Sequence, residues 1–180
     1  MGINILIRGR PGSGKSTAVS LIIKEVRNAK DDLKIGGIVT PEIRLEGRRT
    51  GFKVVDLLTG DEMILASISF QRPTKVGRYS VDVEGFDEFL KAHKRSWTDS
   101  ELIVVDEIGK MELFSETFKR YVLTALDSDK PVIATAPYYR LPFLDEILRR
   151  NDVEIIWVKR GLAEVVASKI AEKVLTALGS

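Results

Sequence analysis

The sequence predicts an α/β domain with a mostly parallel central sheet flanked by helices and an antiparallel hairpin inserted at about 44–83. Three observations lead there. Short apolar, β-branched runs alternate with stretches of helical periodicity, the signature of parallel βαβ units. A glycine-rich stretch, GRPGSGKS at 9–16, stands between the first apolar run and the first helical pattern. The run LIVVD at 102–106 is wholly apolar up to its terminal acid, as expected of a strand buried on both faces.

Residues 3–7 form the first short buried strand. Residues 15–27 read as a helix, because Val19, Ile22, Ile23 and Val26 recur at spacings of three and four. A second strand occupies 35–40. Phe52, Val54 and Val55 lead through Leu57 and Leu58 into Thr59-Gly60-Asp61, and a further apolar run follows at 63–66. That pattern predicts a hairpin turning at Gly60. Tyr79, Val81 and Val83 alternate and suggest a strand over 77–83, followed by a helix over 86–94. Beyond the central strand at 102–105 come a helix at 114–126, a strand at 132–136 and a short helix at 143–149. A strand at 153–158 and a helix from 163 to about 178 close the chain. No Pro/Gly/Ser-rich linker divides it, so residues 1–180 read as a single domain.

The bulk numbers narrow the function. The chain has 180 residues, 44% hydrophobic and 30% charged, a profile that fits one ordinary globular domain. There are no cysteines, which excludes disulfides, thiolate metal sites and a cysteine nucleophile. The one histidine, His93, lies in the polar run KAHKR and reads as a solvated helix residue. A net charge of +2 leaves no footprint for nucleic acid, which calls for a clustered basic face. No apolar run approaches the roughly 20 residues of a membrane span, and no export signal is visible. The expected location is cytoplasmic, and the expected state a monomer or weak oligomer.

Gly9, Arg10, Pro11, Gly12, Ser13, Gly14, Lys15 and Ser16 match G-x-x-x-x-G-K-[ST], the P-loop (Walker A) pattern, in its required strand-to-helix context. Successive backbone N–H groups must converge on phosphate oxygens, and the glycines permit the dihedrals and close approach this needs. The following helix adds its free N–H groups and positive dipole end. Lys15 is expected to reach the β- and γ-phosphates, Ser16 to place its hydroxyl on Mg²⁺, and Thr17 to pack or to contact the α-phosphate.

Such a site also needs an acid at the end of another buried strand. Leu102, Ile103, Val104 and Val105 lead to Asp106, the Walker B position, which is expected to hold the metal's water shell. Glu107 follows, then Ile108 and Gly109. A second carboxylate there can orient and polarise a water for in-line attack on the γ-phosphate, which favours hydrolysis over transfer to an organic acceptor. Lys110 could reach the γ-phosphate side or remain a solvated loop lysine, and Thr135 could sense the γ-phosphate or serve structure.

The phrases GRPGSGKST at 9–17, GGIVTPEIRLEGRRTGFKVVDL at 36–57, VGRYSVDV at 76–83 and VVDEIGKMELFS at 104–115 together resemble the THEP1 nucleoside-triphosphatase family, which includes a cancer-related human homologue. The resemblance covers most of the first two-thirds of the chain. It implies a RecA-like P-loop NTPase fold of the class with an extra catalytic glutamate. It also implies Mg²⁺-dependent hydrolysis of ATP, GTP and other nucleoside triphosphates to diphosphate and phosphate, with broad base tolerance. Residues 9–16 would be the nucleotide-binding loop, 102–109 the second nucleotide-proximal segment, and Glu107 the catalytic base.

Arg44, Arg48 and Arg49, with Arg72 and Arg78, could approach the triphosphate or belong to a charged turn beside the hairpin. Tyr138 and Tyr139 could stack on a base or pack at the rim. Two rival readings share the P-loop. A nucleotide or small-molecule kinase would use the three arginines of 140–150 in a lid. A regulatory, nucleic-acid-associated ATPase would show a basic stripe with interleaved aromatics, and the near-neutral charge and 7% aromatics do not supply one.

Overall fold

The computed structural model describes residues 2–179. Its first unit runs β1 (Asn4–Gly9), α1 (Lys15–Ala29), β2 (Ile35–Val39). An antiparallel segment follows: β3 (Glu42–Leu45), β4 (Arg48–Asp56), β5 (Glu62–Ser67), β6 (Lys75–Val76), β7 (Tyr79–Val81). Then come α2 (Val83–Ala92), α3 (Lys94–Thr98), β8 (Leu102–Asp106) and α4 (Glu116–Asp127). The chain ends with β9 (Val132–Pro137), α5 (Pro142–Leu148), β10 (Val153–Trp157) and α6 (Ala163–Ala177).

Among the described residues ten strands join one mixed sheet, ordered β10-β1-β9-β8-β2-β4-β5-β7-β6, with β3 on β4. The core from β10 to β2 is parallel throughout. From β2 outward every pairing is antiparallel. The predicted hairpin is present as β4–β5, with Gly60 at φ 80° in its turn, but it extends the main sheet rather than standing apart.

Helices cover both faces because the parallel strands alternate their apolar side chains. Ile5, Ile7, Leu102, Val104 and Ile133 face α1 and α6, which present Ala18, Val19, Ile22 and Val26, and Ala167, Ile170, Ala171 and Val174. Leu6, Ile103, Val105 and Ala134 face the opposite layer, where Phe86, Phe118, Val122, Leu144 and Ile147 of α2, α4 and α5 are buried.

Several boundaries differ from the sequence reading, each for a local reason. Asp82 caps α2 by accepting from the Gly85 N–H at 3.0 Å, so the helix begins at Val83 where alternation suggested a strand. Ser115 caps α4 through the Phe118 N–H at 3.0 Å, so Phe114 belongs to a preceding 3₁₀ turn, Glu112–Phe114. His93 is not a solvated helix residue. It stands at the α2–α3 junction, 15% exposed, with Nε2 2.7 Å from Asp61 Oδ2 and Nδ1 2.8 Å from the Phe89 carbonyl. Burial opposes its charged form, but the bonds to Asp61 and Phe89 outweigh that and raise its pKa.

Candidate functional site

Topology gathers the site at the C-terminal edge of the parallel strands. The glycine-rich turn leaves β1, and the acid pair ends β8, with β9 lying between them. Two interstrand spacings, about 9.6 Å, therefore separate the turn from the acids.

The turn is built for close approach. Gly12 and Gly14 take φ of 77° and 104°, the left-handed region open mainly to glycine. A Cβ on Gly9 would fall 2.3 Å from Ser13 Oγ and 2.9 Å from the Val158 carbonyl, so only glycine fits there. The Ser13 N–H donates to the Arg10 carbonyl at 3.0 Å, closing the turn. α1 begins after Gly14, which has no side chain to cap it; α3, α5 and α6 also lack a side-chain cap. The first N–H groups of α1 thus face the turn without an internal acceptor, the arrangement that favours an anion.

Lys15 Nζ donates to the Gly9 carbonyl at 2.8 Å and lies 3.5 Å from Glu107 Oε2. The Ser16 and Thr17 side chains are exposed on the first turn of α1. Asp106 is held from two sides. Its Oδ1 accepts from Thr135 Oγ1 of β9 at 2.6 Å. Its carbonyl accepts from the Thr40 N–H at 2.7 Å and from Thr40 Oγ1 at 3.0 Å, at the end of β2. The Asp106–Glu107 peptide bond is cis. Ile108 is buried, and its N–H donates to the Thr135 carbonyl at 2.8 Å, so the segment through Gly109 is tied to β9.

Burial raises the Glu107 pKa; Lys15 pulls it back and Asp106 pushes it up again. A half-buried carboxylate with a raised pKa beside a cation is suited to accept a proton. For a hard divalent ion, the Ser16 hydroxyl and the Asp106 carboxylate offer the oxygen donors that Mg²⁺ takes from a protein, the rest coming from phosphates and water. Among the described residues no cluster of three His, Asp or Glu forms a protein-only metal cage.

The residues with two open readings separate clearly. Arg44 bonds Glu42 Oε2 at 3.0 Å and the Gly47 carbonyl at 3.0 Å, and Arg49 bonds Glu42 and the Tyr79 hydroxyl. Arg78 bonds the Arg49 carbonyl at 2.7 Å, and Arg72 lies 3.7 Å from Asp82. These four brace the antiparallel segment; Arg48 is exposed on β4. Thr135 holds Asp106, and Lys110 is exposed in the loop that follows Gly109. In the stretch 140–150, Arg140 pairs with Asp145 at 2.8 Å, and Arg150 with Asp127 and Asp152 at 2.7 and 2.8 Å. Tyr138 and Tyr139 form an edge-on pair on the exposed rim, with the Arg10 guanidinium 5.0 Å from the Tyr138 ring centre.

Three residues beside the site, Arg8, Thr40 and Glu112, were not among the residues that the sequence singled out. Arg8 is 8% exposed and donates to the Pro137 and Tyr139 carbonyls, anchoring the loop after β9. Thr40 bonds Glu112 Oε2 at 2.7 Å, and Glu112 is 5% exposed. Burial, then the neighbouring Glu107, pushes the Glu112 pKa up to about 8. Only the positional hint of Glu112 within the VVDEIGKMELFS phrase was available, since Thr40 lies 72 residues away in the chain.

A protein-family model described as NTPase matches residues 4–171. The chain is 38% identical over 170 residues to the nucleoside-triphosphatase THEP1 of Korarchaeum cryptofilum, covering 94% of this chain and 85% of that one. Its fold is similar to the crystal structure of THEP1 from Aquifex aeolicus, with a TM-score of 0.79, 31% identity and coverage of 96% and 99%. It is also similar to the solution structure of a human cancer-related nucleoside triphosphatase, with a TM-score of 0.81, 27% identity and coverage of 97% and 98%.

Proposed function

The chain belongs to the THEP1 nucleoside-triphosphatase family, and we propose that it hydrolyses ATP, GTP and other nucleoside triphosphates to diphosphate and phosphate with Mg²⁺. The observation that carries this reading is the meeting of Lys15 and Glu107 at 3.5 Å between the uncapped α1 turn and the end of β8. A cation for phosphate and a raised-pKa carboxylate thereby share one gap.

In this scheme the backbone N–H groups of 9–16 and Lys15 hold the β- and γ-phosphates. Ser16 and Asp106 would hold Mg²⁺, which when bound neutralises charge on the β- and γ-oxygens. Glu107 orients a water in line with the bond to be broken and takes its proton. The water oxygen bonds to the γ-phosphorus, and the bond from that phosphorus to the β–γ bridging oxygen breaks. The diphosphate leaves with the electron pair. Lys15 faces charge that spreads onto the γ-oxygens in the transition state. The phosphates carry the contacts, and the tyrosine rim offers stacking rather than base-edge readout, which supports broad base tolerance.

Two of the three arginines of 140–150, Arg140 and Arg150, are paired with carboxylates, which favours hydrolysis over a kinase lid. No helix among the described residues is long and apolar enough to cross a membrane. We propose further that the chain acts as a monomer or weak oligomer in the cytoplasm. The deciding experiment measures phosphate release from a panel of nucleoside triphosphates with and without Mg²⁺, and without any acceptor. Release from several nucleotides, dependent on Mg²⁺, supports the reading; none without an added acceptor points to a kinase.

A further inference from the structure

Glu112 has no task in the hydrolytic scheme, yet it stands beside it. A Cβ on Gly109 would lie 3.0 Å from Glu107 Oε1 and 3.1 Å from Glu112 Oε1, so the two carboxyl groups flank the same glycine. Glu112 is 5% exposed, and an isolated charge at such depth is costly.

The hydrogen bonds themselves indicate which form it takes. Glu112 Oε2 is 2.7 Å from Thr40 Oγ1, and Thr40 Oγ1 is 3.0 Å from the Asp106 carbonyl. A carbonyl can only accept, and a threonine hydroxyl carries a single proton. Both contacts are full hydrogen bonds only when Thr40 donates to Asp106 and Glu112 donates to Thr40. The elevated pKa, raised by burial and by Glu107, agrees with a neutral acid. The far end of this chain of bonds is the backbone of Asp106, one residue from Glu107. The Asp106 carbonyl also accepts from the Thr40 N–H, so both of its lone pairs are engaged from β2.

We infer that Glu112 is a positioning residue for the hydrolytic site, donating through the Thr40 hydroxyl to the Asp106 carbonyl and so setting where Asp106 and Glu107 stand. The inference rests on the hydrolytic reading above. It makes a sharp distinction between two substitutions. An amide donates as a neutral acid does, whereas a methyl group does neither.

The test uses the full chain with ATP and Mg²⁺, steady-state phosphate release and nucleotide titration. Glu112→Gln keeps kcat within about threefold of the parent, whereas Glu112→Ala lowers it about tenfold or more with KM and nucleotide affinity little changed. Thr40→Val, close in volume but without the hydroxyl, reproduces the Glu112→Ala loss, and Thr40→Ser restores turnover. The double variant Thr40→Val with Glu112→Ala falls no further than either single one, because both remove one linkage. Equal losses in Glu112→Gln and Glu112→Ala mean that the group works as an anion and overturn the inference. Parental kcat in Thr40→Val overturns it as well, even should Glu112→Ala not fold. Turnover by the parent and its loss in Glu107→Gln decide the hydrolytic reading separately, so failure of one is not mistaken for failure of the other.

Discussion

Lys15 Nζ lies 3.5 Å from Glu107 Oε2, so a lysine that follows β1 and a glutamate that follows β8 meet across the end of β9. The lysine also donates to the Gly9 carbonyl at 2.8 Å, which folds its side chain over the turn. Lys15 offsets part of the rise that burial gives the Glu107 pKa. Drawn toward phosphate, it would leave the carboxylate more basic as a water comes to be activated. Lys15→Ala is expected to lower phosphate release by about 100-fold or more and to weaken nucleotide binding. Phosphate release and calorimetric titration with a nucleotide check both parts, and retained binding would assign Lys15 to the transition state alone.

Glu107→Gln separates binding from turnover. The amide keeps the shape and cannot take a proton, so kcat is expected to fall about 10²–10⁴-fold while nucleotide affinity stays near that of the parent. Single-turnover phosphate release at saturating nucleotide is the measurement. Hydrolysis at the parental rate would remove Glu107 from the chemistry.

The contribution of Glu112 to stability should fall as pH rises, because it holds its proton in the folded chain up to about pH 8. In the unfolded chain an ordinary glutamate loses its proton near about pH 4.3. Between those values the folded state binds more protons, so each unit of rising pH destabilises it by at most about 1.4 kcal/mol for this group. The contribution is fully present below the unfolded value and is lost as pH passes through the folded one. Thermal melting of the parent and of Glu112→Gln from acid to mildly alkaline pH checks this. The variant should show the shallower decline, and equal slopes would mean that Glu112 ionises normally.

Phe118 tests the packing that backs the acid-bearing strand. It is fully buried on α4, its ring 5.7 Å from that of Phe86 on α2. Phe118→Ala should cost about 3–5 kcal/mol, read as a lower urea midpoint at an unchanged m-value. A loss below about 1 kcal/mol would mean that the layer relaxes to fill the space.

What could be read from the sequence was whatever depends on local pattern. The parallel strands and the α1 and α6 faces carry apolar periodicity, and the glycine turn and the acid pair carry residue type at fixed spacing. β3 could not be read that way. Its residues Glu42–Leu45 are mostly exposed, so no apolar alternation marks it, and it is defined by a turn at Glu46 and Gly47 with φ of 52° and 78°. α3 is a five-residue polar helix, too short for a periodic face to show. The arginines of 44–49 gave two readings because nothing local reveals that Tyr79, 30 residues further on, engages Arg49. Glu112 and Thr40 meet across 72 residues, a contact that exists only once β2 lies beside β8.

The placement of β9 has a bearing on how such a chain tolerates change. Amide ladders set the spacing between β1, which leads into the phosphate turn, and β8, which bears the acids, while side chains such as Thr135 orient the acids themselves. Replacements along the two helical layers can shift what fills the interior while that spacing stays constant. A lineage could therefore rewrite most of its buried surface and much of its rim and still hand down the same spacing between turn and acids.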